Sequence, residues 1–227
     1  MMVSSVPEIQ REYWGRSAEG RRSPDHPVVR AVFDPRARYL ASLLQTPSSA
    51  AALDVGCGNG FLSFALRGQG LRVVGCDASL PMLEGAPTIR VGSDALHLPF
   101  PDGSFDLVVE SHLLHHVAEP DRAAVLGEMA RVSRGPVVAY EPNRNNPLMF
   151  LFGLSRRAEW MSLRFSSRYL SQLFEAAGLG APSVRIEGLL VPNRCPRPAL
   201  KAMQRLDGTR LARLGFYVRA TAGLNHR

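Results

Sequence analysis

The stretch LDVGCGNG, residues 53–60, governs how the rest of the chain is read. It passes from an apolar strand-like segment through three glycines directly into FLSFALRG, residues 61–68, whose apolar spacing is helical. Strand, glycine turn and helix start in immediate succession aim backbone N–H groups at a ligand beyond the carboxyl edge of a sheet. A dinucleotide fingerprint would place its third glycine at position 61, but that residue is Phe61 and the third glycine is Gly60. A triphosphate loop would follow its glycines with a lysine and a hydroxyl residue, whereas Phe61 and Leu62 follow here. Both cofactor classes are disfavoured, and a purely structural turn stays open.

Outward from the loop, short apolar runs alternate with amphipathic stretches. AALDV (51–55), LRVVGC (71–76), TIRVG (88–92), FDLVVE (105–110) and GPVVAYE (135–141) read as strands, with a helical pattern from Pro120 to Val132 between the last two. Such alternation calls for a parallel sheet with helices on both faces. Asp77 and Asp94 end the second and third strands. Carboxylates there face one crevice, so a nucleoside could set its ribose on Asp77 and its adenine amino group on Asp94. Helix capping and turn formation are the structural alternatives for both acids.

Taken in order, LDVGCGNG, VGCDASLPML, GSDALHLPFPDGSFDLVVES and HLLHHV resemble the successive motifs of class I S-adenosylmethionine (SAM)-dependent methyltransferases of the small-molecule type, over roughly residues 50–141. The resemblance implies an α/β, Rossmann-like seven-stranded mostly parallel sheet with helices on both faces and its last strand antiparallel; SVRIEGLLV (183–191) and GFYVRAT (215–221) would close it. It further implies that Asp54, Gly56, Gly58 and Gly60 hold the methionine end of SAM and that Asp77 takes the ribose. Asp94 and Ala95 match the adenine position, Ala78, Met82 and Leu96 the apolar contacts to the base, and Glu110 with Ser111 the passage beside the sulfonium. One departure is V-S-R-G-P before the fifth strand, where Pro136 replaces a glycine. Residues 1–45 are expected to form an N-terminal helical lid ahead of a methyltransferase domain over 46–227, with substrate-side insertions at about 143–165 and 192–213.

Methyl transfer from a sulfonium is an in-line displacement whose donor is already activated, so alignment and exclusion of water supply much of the catalysis. A hydroxyl or ammonium acceptor also needs a base, for which histidine has the natural pKa. His112, His115 and His116 follow the fourth strand, and His115 and His116 are the catalytic candidates; capping or packing is their structural alternative. No acidic partner or fourth ligand stands at metal-site spacing beside them, so no metal is expected. Tyr13 and Trp14 could close over a cleft, and residues Tyr140 to Arg144 could reach an acceptor or simply form a turn.

The helix-like spacing of Val28, Val29, Val32, Tyr39, Leu40, Leu43 and Leu44 is expected to break near Pro35. Ser166 should cap a helix, SSRYLSQLFEAAG, that stops at Gly178, and Pro198 to Leu214 reads as an added helix. In the insertion, Leu148 to Leu154 beside Arg156 and Arg157 resembles a lid over an apolar acceptor or a peripheral membrane contact through 148–157, unless it docks on the core. This is the longest apolar run and is too short to span a bilayer.

A net charge of +7 on 227 residues invites nucleic acid, but the cations are scattered arginines, Lys201 is the only lysine, and no aromatics alternate with them to stack bases. No nucleic-acid partner is expected. Cys57, Cys76 and Cys195 lack disulfide or zinc spacing and fit a reducing cytoplasm. The reading is therefore methyl transfer from SAM to a small or lipid-like acceptor. Its rivals are a catalytically silent SAM-binding regulatory protein and, less favoured, a dinucleotide-dependent oxidoreductase.

Overall fold

The computed structural model describes residues 22–189, 201, 205 and 214–223. Tyr13, Trp14, Cys195 and most of the helix expected over Pro198–Leu214 lie outside them. Seven strands, β1 (Ala51–Val55), β2 (Arg72–Asp77), β3 (Ile89–Gly92), β4 (Leu107–Ser111), β5 (Val137–Pro142), β6 (Ser183–Glu187) and β7 (Tyr217–Ala222), form one sheet in the order β3-β2-β1-β4-β5-β7-β6. Neighbours from β3 to β5 pair in parallel, and β7 runs antiparallel to both β5 and β6. The expected sheet and its antiparallel last strand are present.

Residue alternation gives the sheet two apolar faces. On one face Ala52, Leu107, Val109, Val138 and Tyr140 pack beneath α1 (Pro27–Ser42) and α2 (Phe61–Arg67). On the other, Leu53, Val55, Val108, Val137 and Ala139 pack beneath α4 (Arg122–Val132) and α6 (Ser167–Ala176). A single turn, α3 (Leu80–Leu83), follows β2, and α5 (Pro147–Ser155) with a 3-10 segment over Arg157–Arg164 forms the insertion.

The break expected near Pro35 does not occur: α1 is continuous, with Pro35 inside it. Val28, Val29, Val32 and Phe33 before the proline and Ala37, Leu40 and Ala41 after it all bury in one apolar cluster. Burial at roughly 1.5–3 kcal/mol per large side chain outweighs the roughly 3 kcal/mol that an interior proline costs a helix. Ser166 caps α6 as expected, its Oγ accepting from the Tyr169 N–H, and Gly178 leaves the helix at φ 77°. The last apolar run stops being a strand at Glu187, because Gly188 turns at φ 78°, where a Cβ would meet the Tyr217 ring at 2.6 Å. In the V-S-R-G-P turn, a Cβ on Gly135 would stand 2.1 Å from the Asp106 carbonyl oxygen, so this glycine is obligatory while Pro136 still accepts from the Val108 N–H.

Arg122 pins the site to the frame. Fully buried at the start of α4, it donates from Nε to the carbonyls of Leu114 and Val117 and from Nη1 to Tyr169 Oη, with its guanidinium 4.9 Å from the Phe165 ring centre. Arg122→Met keeps the stem but strands the buried Val117 carbonyl and removes one of the two donors to the Leu114 carbonyl, which keeps the Val117 N–H. It should lower stability by about 2–4 kcal/mol in urea unfolding; a loss under about 0.5 kcal/mol would show that these bonds contribute nothing net.

Candidate active site

The glycine loop leaves β1 through Gly56, Gly58 and Gly60, all in the left-handed region at φ 68°, 52° and 79°. A Cβ on Gly56 would meet Leu113 at 2.8 Å and one on Gly60 would meet Pro87 at 2.7 Å, so sterics enforce both glycines as strongly as conformation does. Asp77, at the end of β2, ties the loop in place. Its two carboxylate oxygens accept from the Gly58 and Ser79 N–H groups, each at 2.8 Å. Buried Met82 brings its terminal methyl 3.1 Å from where a Gly58 Cβ would stand, which puts an apolar surface beside the loop. Ala78 lies exposed at the same turn. Ser93 N–H donates to the Asp77 carbonyl, and Asp94 Oδ1 accepts from Leu96 N–H across Ala95, so the β2 and β3 ends meet.

The loop is an acidic place. Asp54 is buried, accepts from Ser63 Oγ at 2.6 Å, and has its pKa raised to about 7 by burial despite that bond, with the charge of Asp77 adding to the rise. Burial and the Asp54 and Asp77 charges push the Cys57 thiol up as well. A site crowded with carboxylates repels a pyrophosphate and welcomes a cation, so its residues fit the sulfonium and ammonium of SAM better than they fit a dinucleotide.

On the opposite face, Glu110 and Glu141 bury side by side at the ends of β4 and β5. Burial first, then the Glu141 charge, hold Glu110 well above the carboxylate range, so Glu110 keeps its proton and Glu141 is the partner that ionises first. Backbone N–H groups meet both: Leu113 donates to Glu110 at 2.9 Å and Leu114 to Glu141 at 2.7 Å. His115 Nδ1 lies 2.6 Å from Glu141 Oε2, and its Nε2 lies 3.7 Å from Glu159 Oε2 in the insertion. Burial brings the His115 pKa down to about 4, with the Glu159 charge opposing, which leaves the imidazole neutral near pH 7. The buried His116 ring lies against it, centres 3.8 Å apart and planes tilted by 46°. His112 takes a left-handed φ of 67° with its N–H donating to the Tyr140 carbonyl, an uncommon conformation for a non-glycine residue.

Two expectations shift here. Acidic partners do stand beside the histidines, supplied by Glu141 and Glu159 from distant segments that local spacing cannot reveal. Among the described residues, no group of three or more ligands is arranged to hold a metal. In addition, Asn143 is spent on structure: buried, it donates to the Gly215 carbonyl and accepts from Asn145 N–H, so it forms the turn after β5. Sequence reading also missed Arg36, although an arginine at a core position of α1, four residues after Val32, was visible as an anomaly.

Residues 53–136 match the methyltransferase domain family. The chain is 34% identical over 145 residues to a demethylmenaquinone methyltransferase of Thermobifida fusca, covering 55% of this chain and 61% of that protein. The chain spans about half the length of the curated relatives it matches, 44% for an uncharacterized methyltransferase of Mycobacterium sp. strain KMS. Its fold is that of class I SAM-dependent methyltransferases. A SAM-dependent methyltransferase from Archaeoglobus fulgidus superposes with a TM-score of 0.63 at 17% identity, covering 84% of this chain and 92% of that one. Magnesium protoporphyrin IX methyltransferase from Synechocystis PCC 6803, solved with S-adenosylhomocysteine (SAH), gives 0.63 at 15% identity, covering 95% and 98%.

Asp54 yields a pH prediction for the ligand-free domain. With a folded pKa of about 7, above its ordinary value, the folded chain holds a proton that the unfolded chain has released, so Asp54 subtracts stability as pH rises from about 4 to about 7. Asp54→Asn removes that slope. Its stability relative to the parent should grow by up to about 4 kcal/mol between pH 4 and pH 8 in urea unfolding; a constant difference would mean that Asp54 titrates normally.

Proposed function

We propose that the chain transfers a methyl group from SAM to a small or lipid-like acceptor. The observation that carries this reading is the carboxylate-lined glycine loop: Asp77 braces the Gly58 and Ser79 amides, and Asp54 lies buried beside them without a fixed cation partner among the described ion pairs. SAM, bound there, supplies an activated methyl group on a cationic sulfur. Asp54, Gly56, Gly58 and Gly60 hold its methionine end, Asp77 its ribose, Asp94 and Ala95 its adenine edge, and Ala78, Met82 and Leu96 the adenine faces. Glu110 and Ser111 flank the reacting sulfur.

His115 is the base. Burial holds Glu141 up at about 8; in its ionised form it accepts from Nδ1–H, which leaves Nε2 to take the acceptor's proton, and the Glu159 carboxylate 3.7 Å away stabilises the imidazolium that results. His116, packed against it at a tilt, limits its rotation. The low pKa of His115 keeps it neutral and ready across the physiological range.

The insertion supports a lipid-like acceptor. Leu148, Leu151, Leu154 and Trp160 are each more than half exposed, beside exposed Arg156 and Arg157. Apolar side chains rimmed by arginines suit a peripheral contact with an anionic lipid surface. No helix among the described residues is long and apolar enough to cross a membrane. The likeness to a demethylmenaquinone methyltransferase agrees with an acceptor of that kind.

Incubation of the full chain with methyl-labelled SAM and extract metabolites tests the reading: label should move to an organic-soluble or small-molecule product. Asp77→Ala should weaken SAM about 10- to 100-fold. His115→Ala should lower kcat about 10²- to 10⁴-fold with SAM affinity within about twofold. Unchanged turnover in His115→Ala would remove the base, and SAM binding without any transfer would favour the silent regulatory protein. Phosphatidylglycerol vesicles should pellet the chain and lose it on Leu151→Glu; equal pelleting of both would sink the lipid contact.

A further inference from the structure

Arg36 is a buried charge to which the site described above assigns no role. It sits on the inner face of α1, 4% exposed, with its guanidinium 4.2 Å from the Tyr217 ring centre, 4.7 Å from Tyr140 and 5.3 Å from Phe33. Nη1 donates to Ser111 Oγ at 3.2 Å, whereas Nη2 is buried with no hydrogen-bond partner. Among the described residues, every ion pair involves other cations. Ring faces return about 1–2 kcal/mol to a desolvated guanidinium, which does not replace a missing acceptor.

Tyr140 Oη and Arg219 Nε are buried on cross-strand neighbours of the β5–β7 ladder and interact with each other. Arg219 also holds Glu187 through Nη1 and lies 3.5 Å from the Tyr39 ring centre. Arg36 Nη2 is thus the donor left without an acceptor, and a carboxylate oxygen is the group that fits it beside a second guanidinium and a phenol. Their place in the sheet is informative as well: the glycine loop, Asp77 and Asp94 occupy the β1, β2 and β3 ends, whereas Ser111, Tyr140 and Tyr217 belong to β4, β5 and β7.

We propose that Arg36, with Tyr140 and Arg219, is a carboxylate-binding subsite for a small molecule held over β4, β5 and β7. It rests on the methyltransferase reading for its source, which is either a carboxylate on the acceptor or the amino-acid carboxylate of the donor. A guanidinium fork engages both oxygens of the group and so fixes the orientation of the molecule that bears it.

Calorimetry on the full chain, its Arg36→Met and its Arg36→Lys variants decides the matter with two ligand pairs. One is SAH against 5′-methylthioadenosine, which lacks the amino-acid end; the other is 1-naphthoate against 1-naphthamide, titrated with and without SAH. At least one pair should show a carboxylate preference that falls about tenfold in Arg36→Met and severalfold in Arg36→Lys, which keeps the charge but loses the fork. A fall in the naphthoate pair identifies the acceptor as the source, and a fall in the SAH pair the donor. Both preferences unchanged in Arg36→Lys and Arg36→Met, with only the melting temperature altered, would overturn the subsite and leave Arg36 as a packing strut. Should Arg36→Met not fold, the Lys variant alone carries the decision. Failure of SAH to bind would count against the methyltransferase reading, while the naphthoate pair without SAH would still decide for or against Arg36.

Discussion

Burial of carboxyl groups at the ends of adjacent strands is the constraint on which the rest of this molecule depends. Asp54, Glu110 and Glu141 lose water at the edge of a rigid parallel sheet, and each is drawn toward its protonated form. Such burial costs stability, and a fold keeps it where a ligand or a reaction uses the charge. Two devices contain the cost here. Hydrogen bonds from Ser63 and from the Leu113 and Leu114 amides meet the three carboxyls, and the proton retained by Glu110 prevents two adjacent negative charges.

The sheet divides this chemistry between its faces. Asp54 projects toward α1 and α2 beside the glycine loop, whereas Glu110 and Glu141 project toward α4 and α6, where His115 joins them. The insertion then reaches back through Glu159 to the same histidine. A cationic donor would therefore lie over the acidic half of the edge. The guanidinium groups of Arg36 and Arg219 belong to the other half, where the proposed subsite would hold a carboxylate of the acceptor or of the donor.

Much of the scaffold was legible because it is local. The five strands read from 51 to 141 fall within two residues of their observed bounds, since apolar runs bounded by glycine and proline leave few alternatives. Gly60 and Asp77 were readable for the same reason: a fixed offset along the chain corresponds to a fixed place in a strand-turn-helix unit. What stayed hidden depends on contacts between distant segments. Nothing near His115 in sequence announces Glu159, and the continuity of α1 through Pro35 is decided by the sheet face beneath it. Arg36 lay between, visible as a charge at a core position but meaningless until Ser111, Tyr140 and Tyr217 surrounded it.

The claim that a cationic donor completes the acidic loop makes proton release its signature. Titration of SAM into the full chain at pH 6.5, repeated in two buffers of different ionisation enthalpy, reads the number of protons lost on binding. Asp54, with its pKa of about 7 in the free chain, should ionise beside the sulfonium and ammonium, so binding should release a substantial fraction of one proton, and NAD should give no binding heat. SAM binding with no proton released would contradict the assigned role of Asp54, and binding of NAD in place of SAM would contradict the donor itself.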